Sequence, residues 1–154
     1  SSTFTLQGSS QYLALNSTTN FIGYSFDSQF GGTANSGSSS QDIISYCFHS
    51  VPGYSKVGSY IGNGNSTGTI VTLDFAPSFV MIKGFDEAGS WIMIDNKRSP
   101  TNPASAKLEA NSSNQEAVDT IMDLNSDGFQ LKTASAAKNA SNKTFIYLAF
   151  ANTI

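Results

Sequence analysis

The sequence predicts an all-β fold, an antiparallel β-sandwich of jelly-roll-like type with at most one short helix and hints of a repeated hairpin in its construction. Three observations predict it. Short runs rich in Ile, Val, Phe, Tyr and Thr alternate with period two. Clusters of Gly, Asn, Ser and Pro bound those runs. Charged residues are only 12% of the 154, so Ser, Thr, Asn and Gly carry the polar load, as in extracellular or virion-surface β-proteins.

The elements follow in order. Thr3–Gln7 alternates cleanly until Gly8-Ser9-Ser10 breaks it. Tyr12–Leu15 and Phe21–Phe26 flank the turn-rich Asn16–Asn20, and Gly31–Ser40 is a polar loop. Then come Ile43–Phe48, Lys56–Ile61, Thr69–Phe75, Phe79–Lys83, Trp91–Asp95, Gly128–Lys132 and Thr144–Phe150. Only Ala104–Asp123 has helix-friendly composition, and Asn111–Asn114 interrupts it, so one short helix or 3₁₀ turn is expected there. Phe4–Leu6 before Phe21–Phe26, and Phe129–Leu131 before Phe145–Phe150, echo one another as strand, polar turn, aromatic strand.

A length of 154 residues suits one domain that buries about 70% of its unfolded surface. Within it, 1–42 reads as N-terminal strands and a Gly/Ser-rich loop, the end of a preceding related unit, and 43–154 as the main module. The start lacks a Met, a basic segment and an apolar h-region, which fits a processed product or a piece of a longer chain. Eight basic residues against eleven acidic ones leave no electrostatic footprint for nucleic acid. No apolar run approaches a membrane span, so no membrane insertion is expected.

Chemistry-bearing constellations are few, and no enzyme or cofactor is expected. Cys47, the single cysteine, lies two residues from His49, the single histidine; a strand would put both on one face, but no orienting group or oxyanion donor accompanies them. Asp123, Asn125 and Asp127, followed by Gly128, match the first half of a calcium loop, yet Ala134 stands where the bidentate acid belongs. A tight hairpin, with positive φ tolerated at Asn125, Asp127 and Gly128, is the simpler reading. Gly58, Gly62, Gly64 and Gly68 have no phosphate-loop register and read as a turn with a bulge. Asp86, Glu87, Asp95, Glu109, Glu116 and Asp119 are too scattered for a confident glycosidase pair. Trp91, Asp95 and Arg98, with Lys97 between, are the candidate ligand-binding group: a ring beside an acid and a guanidinium suits a sugar. The structural alternative is a buried Trp and an Asp95–Arg98 pair that pins Asn96–Pro103. N-x-[ST] triplets occur at Asn16, Asn65, Asn111, Asn139 and Asn142, as chance predicts in so Asn/Ser/Thr-rich a chain.

The last strand is apolar on both faces. Phe145, Tyr147 and Ala149 point one way, Ile146, Leu148 and Phe150 the other. Phe79/Met81 and Val80/Ile82 behave alike. A sandwich strand usually has one wet face, so Phe145, Ile146, Tyr147, Leu148 and Phe150 mark a candidate assembly surface for copies of the chain or another protein.

Pro52–Tyr60 with Gly62-Asn63-Gly64 is followed in order by Phe75–Lys83, Trp91–Asp95, Lys97-Arg98, Leu108, Asn111, Gly128–Leu131 and Phe145–Ala151. Over residues 43–154 this series resembles a β-rich module of tail-fibre-like and other virion structural proteins of tailed bacteriophages, especially phages of aquatic bacteria. That module often sits beside laminin-G-like jelly-roll domains. The resemblance implies a non-enzymatic protein at the virion surface, first a tail-fibre or appendage module for assembly and host attachment. Capsid decoration and a filament or fibre shaft are its alternatives. Implied partners are copies of itself, other virion proteins and a host cell-surface glycan. A carbohydrate-binding module of a cell-surface protein is the competing class.

Overall fold

The computed structural model describes Tyr12–Asn16, Asn20–Tyr24 and Phe48–Asn152. The expected strand Thr3–Gln7, the loop Gly31–Ser40 and all of the expected strand Ile43–Phe48 except Phe48 lie outside the described residues, and Phe48 itself is not in a strand. The chain divides into two compact units, Ser1–Ser45 and Tyr46–Ile154. In the first, β1 (Tyr12–Asn16) pairs antiparallel with β2 (Asn20–Tyr24), from Tyr12 opposite Tyr24 to Asn16 opposite Asn20.

The second unit holds β3 (Ser55–Ile61), β4 (Ile70–Thr72), β5 (Pro77–Gly84), β6 (Ile92–Asp95), β7 (Ala104–Glu109), β8 (Ala117–Asn125), β9 (Gly128–Leu131), the four-residue α1 (Ala136–Asn139) and β10 (Thr144–Ala151). All its pairings are antiparallel, in the order β3-β10-β5-β6-β7-β8-β9-β4. The sheet folds on itself so that β3-β10-β5-β6 faces β7-β8-β9-β4. Rings meet between the layers: Phe129 of β9 lies edge-on to Tyr60 at 6.2 Å and to Tyr147 at 5.6 Å, and Tyr60 stacks on Phe145 at 5.1 Å. Val80, Ile82, Ile94, Ile121, Met122 and Leu131 fill the rest of the core. The free edges approach each other at a seam. There Thr69 Oγ1 donates to the Ile61 carbonyl at 2.6 Å, and Lys56 pairs with Asp74 at 3.2 Å. The β-sandwich expectation holds.

The segment 104–123 differs from its expectation: it forms β7 and most of β8, and the helix lies at Ala136–Asn139 instead. Ala104 and Ala106 are good helix formers, but both are buried, and ladder pairing outweighs their propensity. Between Ala104 opposite Met122 and Ala106 opposite Val118, β8 carries two more residues than β7. This bulge lets the consecutive Ile121 and Met122 both reach the core. The echoed pair Phe129–Leu131 and Phe145–Phe150 is not a hairpin: β9 pairs with β8 and β4, and β10 with β3 and β5.

Candidate functional site

The inward face of β10 is Phe145, Tyr147 and Ala149, so Phe145 and Tyr147 belong to the core and not to an assembly surface. Gly58, opposite Tyr147, makes room for it: a Cβ there would come within 2.6 Å of the Tyr147 Oη. Ile146, Leu148 and Phe150 take the outward face. Phe150 is partly covered by a cluster of its own chain's rings: Tyr54 at 5.9 Å, Phe48 at 6.1 Å and Phe79 at 6.2 Å.

Register aligns this face across the layer. Val57 stands opposite Leu148, Leu148 opposite Met81, Met81 opposite Met93 and Met93 opposite Leu108. Directly opposed residues share a face, so these five form one apolar row across β3, β10, β5, β6 and β7. None belongs to the core cluster, but only Val57 is exposed: Met81, Met93 and Leu108 are half-buried and Leu148 is buried. Ile146 lies one row away, between Ser59 and Lys83, and Val57 and Ile61 at the β3 edge are 43% and 53% exposed. The Lys83 ammonium binds the carbonyls of Gly84 and Glu87, so it turns away from the row into its own loop.

Of the group Trp91, Asp95 and Arg98, only Asp95 and Arg98 are joined: among the described residues no hydrogen bond links Trp91 to either. Trp91 precedes β6 and Asp95 ends it, about 13 Å apart at ~3.3 Å per residue. Trp91 is 37% exposed, and its backbone N–H donates to Asn111 Oδ1 at 2.9 Å. Asp95 and Arg98 do meet and pin the turn, as the structural alternative expects, but its buried Trp is not found. Asp95 Oδ1 accepts the Lys97 and Arg98 N–H groups at 2.9 and 2.8 Å, and Oδ2 accepts Arg98 Nε at 2.6 Å. The guanidinium also reaches Glu116 at 3.1 Å and the Met93 carbonyl at 3.3 Å. Partial burial pushes the Asp95 carboxyl up, but the Arg98 and Lys97 hydrogen bonds outweigh it and hold the group below its ordinary value.

Other carboxylates have partners too. Asp119 pairs with Lys138 at 2.7 Å, Glu87 with Lys143 at 2.9 Å and Glu109 with Lys107 at 3.3 Å; Asp86 accepts the Thr144 N–H at 3.1 Å. In the candidate calcium loop, Asp123 pairs with Lys132 at 3.2 Å, while Asn125 and Asp127 are exposed. Among the described residues, no three of His, Cys, Asp and Glu gather into a metal-holding group. The hairpin is there, with Asn125 opposite Gly128, but Asn125, Asp127 and Gly128 all avoid positive φ. Gly128 is needed for a different reason: a Cβ would collide with the Val71 carbonyl of neighbouring β4. His49 is exposed and faces the Ser50 carbonyl at 2.9 Å, and Cys47 lies outside the described residues.

Asn139 escaped the sequence reading except as a glycan triplet. It is fully buried, and its amide ties the Asn63–Thr67 loop to Thr133. Only its place among Gly62, Gly64 and Gly68, which are distant in sequence, explains it, so no local signal marks it.

No curated protein and no solved structure matches the chain. A family model described as a domain of unknown function (DUF7483) matches residues 2–153, and the chain therefore belongs to that family.

Proposed function

We propose that the protein is a non-enzymatic structural module of a bacteriophage virion, a tail-fibre or appendage unit that assembles through the outward face of β3-β10-β5-β6 and serves host attachment. The observation that carries the assembly half is the row Val57–Leu148–Met81–Met93–Leu108, apolar across five strands on the face turned away from the core cluster, with Leu148 itself buried and Val57 exposed. A contiguous apolar patch at the surface of a small domain marks an interaction site. The row asks for a flat apolar partner, a second copy or another virion protein, rather than a small substrate. Pairing of the carboxylates with Lys and Arg supports the non-enzymatic reading. The virion assignment rests on the sequence resemblance over residues 43–154.

Immunogold electron microscopy of virions with an antibody against this chain tests the proposal. Label at a tail tip or side fibre is the expected result. Regular label over the head or along a shaft moves the chain to a decoration or filament role. No label on any particle contradicts the virion reading.

A further inference from the structure

One edge of β3 pairs with β10, and the other ends the sheet. Antiparallel neighbours alternate between residues that exchange hydrogen bonds and residues whose N–H and C=O point away. The Gly62 N–H donates to the Lys143 carbonyl at 2.9 Å, and the Ala151 N–H to the Tyr54 carbonyl at 2.7 Å. Tyr54, Gly62 and the even-numbered residues between them therefore face β10, and Ser55, Val57, Ser59 and Ile61 face the free edge. Ser55 is closed off by its bridge to Val51. The Val57 N–H donates to Ser50 Oγ at 3.1 Å, and the Ile61 carbonyl accepts Thr69 Oγ1 at 2.6 Å. The Val57 carbonyl, the Ser59 N–H and carbonyl and the Ile61 N–H have no partner among the described residues.

These four groups complement themselves. Laid antiparallel on a second copy with Ser59 opposite Ser59, β3 exchanges two hydrogen bonds at the centre, and each Ile61 N–H reaches the other copy's Val57 carbonyl. Every leftover group is then used. The bond that this register forgoes, from the Val57 N–H to the other copy's Ile61 carbonyl, joins the two groups already occupied. A register centred on Gly58 or Tyr60 completes only half of these bonds. The side chains agree. Val57 and Ile61, 43% and 53% exposed, share a face, and the register sets each against the other. Ser59, on the axis, is exposed and uncharged. Edge strands are commonly guarded by Lys or Pro, and 57–61 has neither. The nearby Lys56 ammonium is turned to the Thr72 carbonyl and Asp74.

We propose that β3 is a homodimerisation edge, on which the β3 of a second copy pairs antiparallel about a two-fold axis at Ser59. The layers of the two copies join into one sheet, and the apolar row from Leu108 to Val57 meets the second copy's Ile61. The inference goes beyond assembly through the outward face: it uses the backbone of the strand edge and stands even if that face has no partner.

Amide hydrogen exchange on the full chain, dilute and concentrated, tests it alongside sedimentation velocity. The Ser59 and Ile61 amides should slow about tenfold or more as the dimer fills. Ser59→Pro removes the central donor, which β10 does not use, so the variant should stay folded and monomeric. Val57 lies on both surfaces, and a Lys there would hinder edge pairing too, so Ser59→Pro is the variant that separates them. Slow edge amides in a dimer that Ser59→Pro dissolves support the proposal whatever the outward face does. Fast edge amides in a wild-type oligomer overturn it and leave the outward face as the contact. A chain that stays monomeric when concentrated, or a folded Ser59→Pro that still dimerises, overturns it as well. The wild-type exchange rates decide the matter without any variant.

Discussion

Asn63 and Asn139 hydrogen-bond to each other twice: the Asn63 N–H donates to Asn139 Oδ1 at 3.1 Å, and Asn139 Nδ2 donates to Asn63 Oδ1 at 2.9 Å. The same amide reaches the carbonyls of Asn65 and Thr133, each at 2.8–2.9 Å. One side chain thus replaces the backbone pairing that the irregular loop between β3 and β4 cannot make for itself.

Asn139→Ala is expected to destabilise the protein by about 3 kcal/mol, because it strands several buried polar groups at once. Urea unfolding measures this. Asn63→Ala removes fewer bonds at an exposed position and should cost less. Burial of Asn139 also means that the folded chain cannot be glycosylated there, whereas Asn65 and Asn111 are exposed.

Tyr60 donates to the Lys138 carbonyl at 2.6 Å from within the core, and burial pushes its phenol far above the ordinary value. The folded state keeps this proton above about pH 10, where the unfolded chain gives it up. The unfolded state then binds fewer protons, so stability falls as pH rises past that point. Tyr60→Phe should lose about 1 kcal/mol at neutral pH and flatten the alkaline decline. The buried Tyr147, also raised, keeps part of the slope. Unfolding free energies measured across the alkaline range check both statements.

Asp95 behaves in the opposite sense. Its carboxyl is held below the ordinary value, so its contribution is present above the unfolded value of about 3.9. That contribution is lost as pH falls from there through the folded value. Asp95→Asn should weaken the protein at neutral pH and show a shallower loss of stability on acidification. Denaturation midpoints at pH values above and below that window read the difference.

Gly128→Ala drives a Cβ into the Val71 carbonyl, and both contacting groups are strand backbone that cannot yield alone. A loss of about 2–3 kcal/mol is expected, with β4 released from β9. Amide exchange at Ile70–Thr72 should quicken more than at β10.

The strands β3, β5, β6 and β10 were legible because their alternation uses large aliphatic and aromatic residues. Both faces of β10 were visible as apolar, but which one turns inward was not, since that depends on Tyr60 and Phe129 arriving from other strands. Strands β7 and β8 were hidden: Ala104 and Ala106 carry a small-residue core face that looks helical, and the β8 bulge breaks period two between Ile121 and Met122. Asp95 and Arg98 were legible as a pair because they are three residues apart. The separation of Trp91 from them follows from β6 being extended, and the opposition of Phe79 to Asp95 follows from β5–β6 register, which sequence does not give.

Sedimentation velocity on the full chain, wild type beside Val57→Lys, tests the assembly claim most directly. Val57 is 43% exposed in the single chain, so a Lys there leaves the fold intact but places an unpaired charge in any partner interface. The account predicts a discrete oligomer for the wild type and a folded monomer for Val57→Lys, with the same melting temperature when both are dilute. A wild-type chain that stays monomeric at high concentration, or a Val57→Lys chain that keeps the oligomer, contradicts assembly through this face.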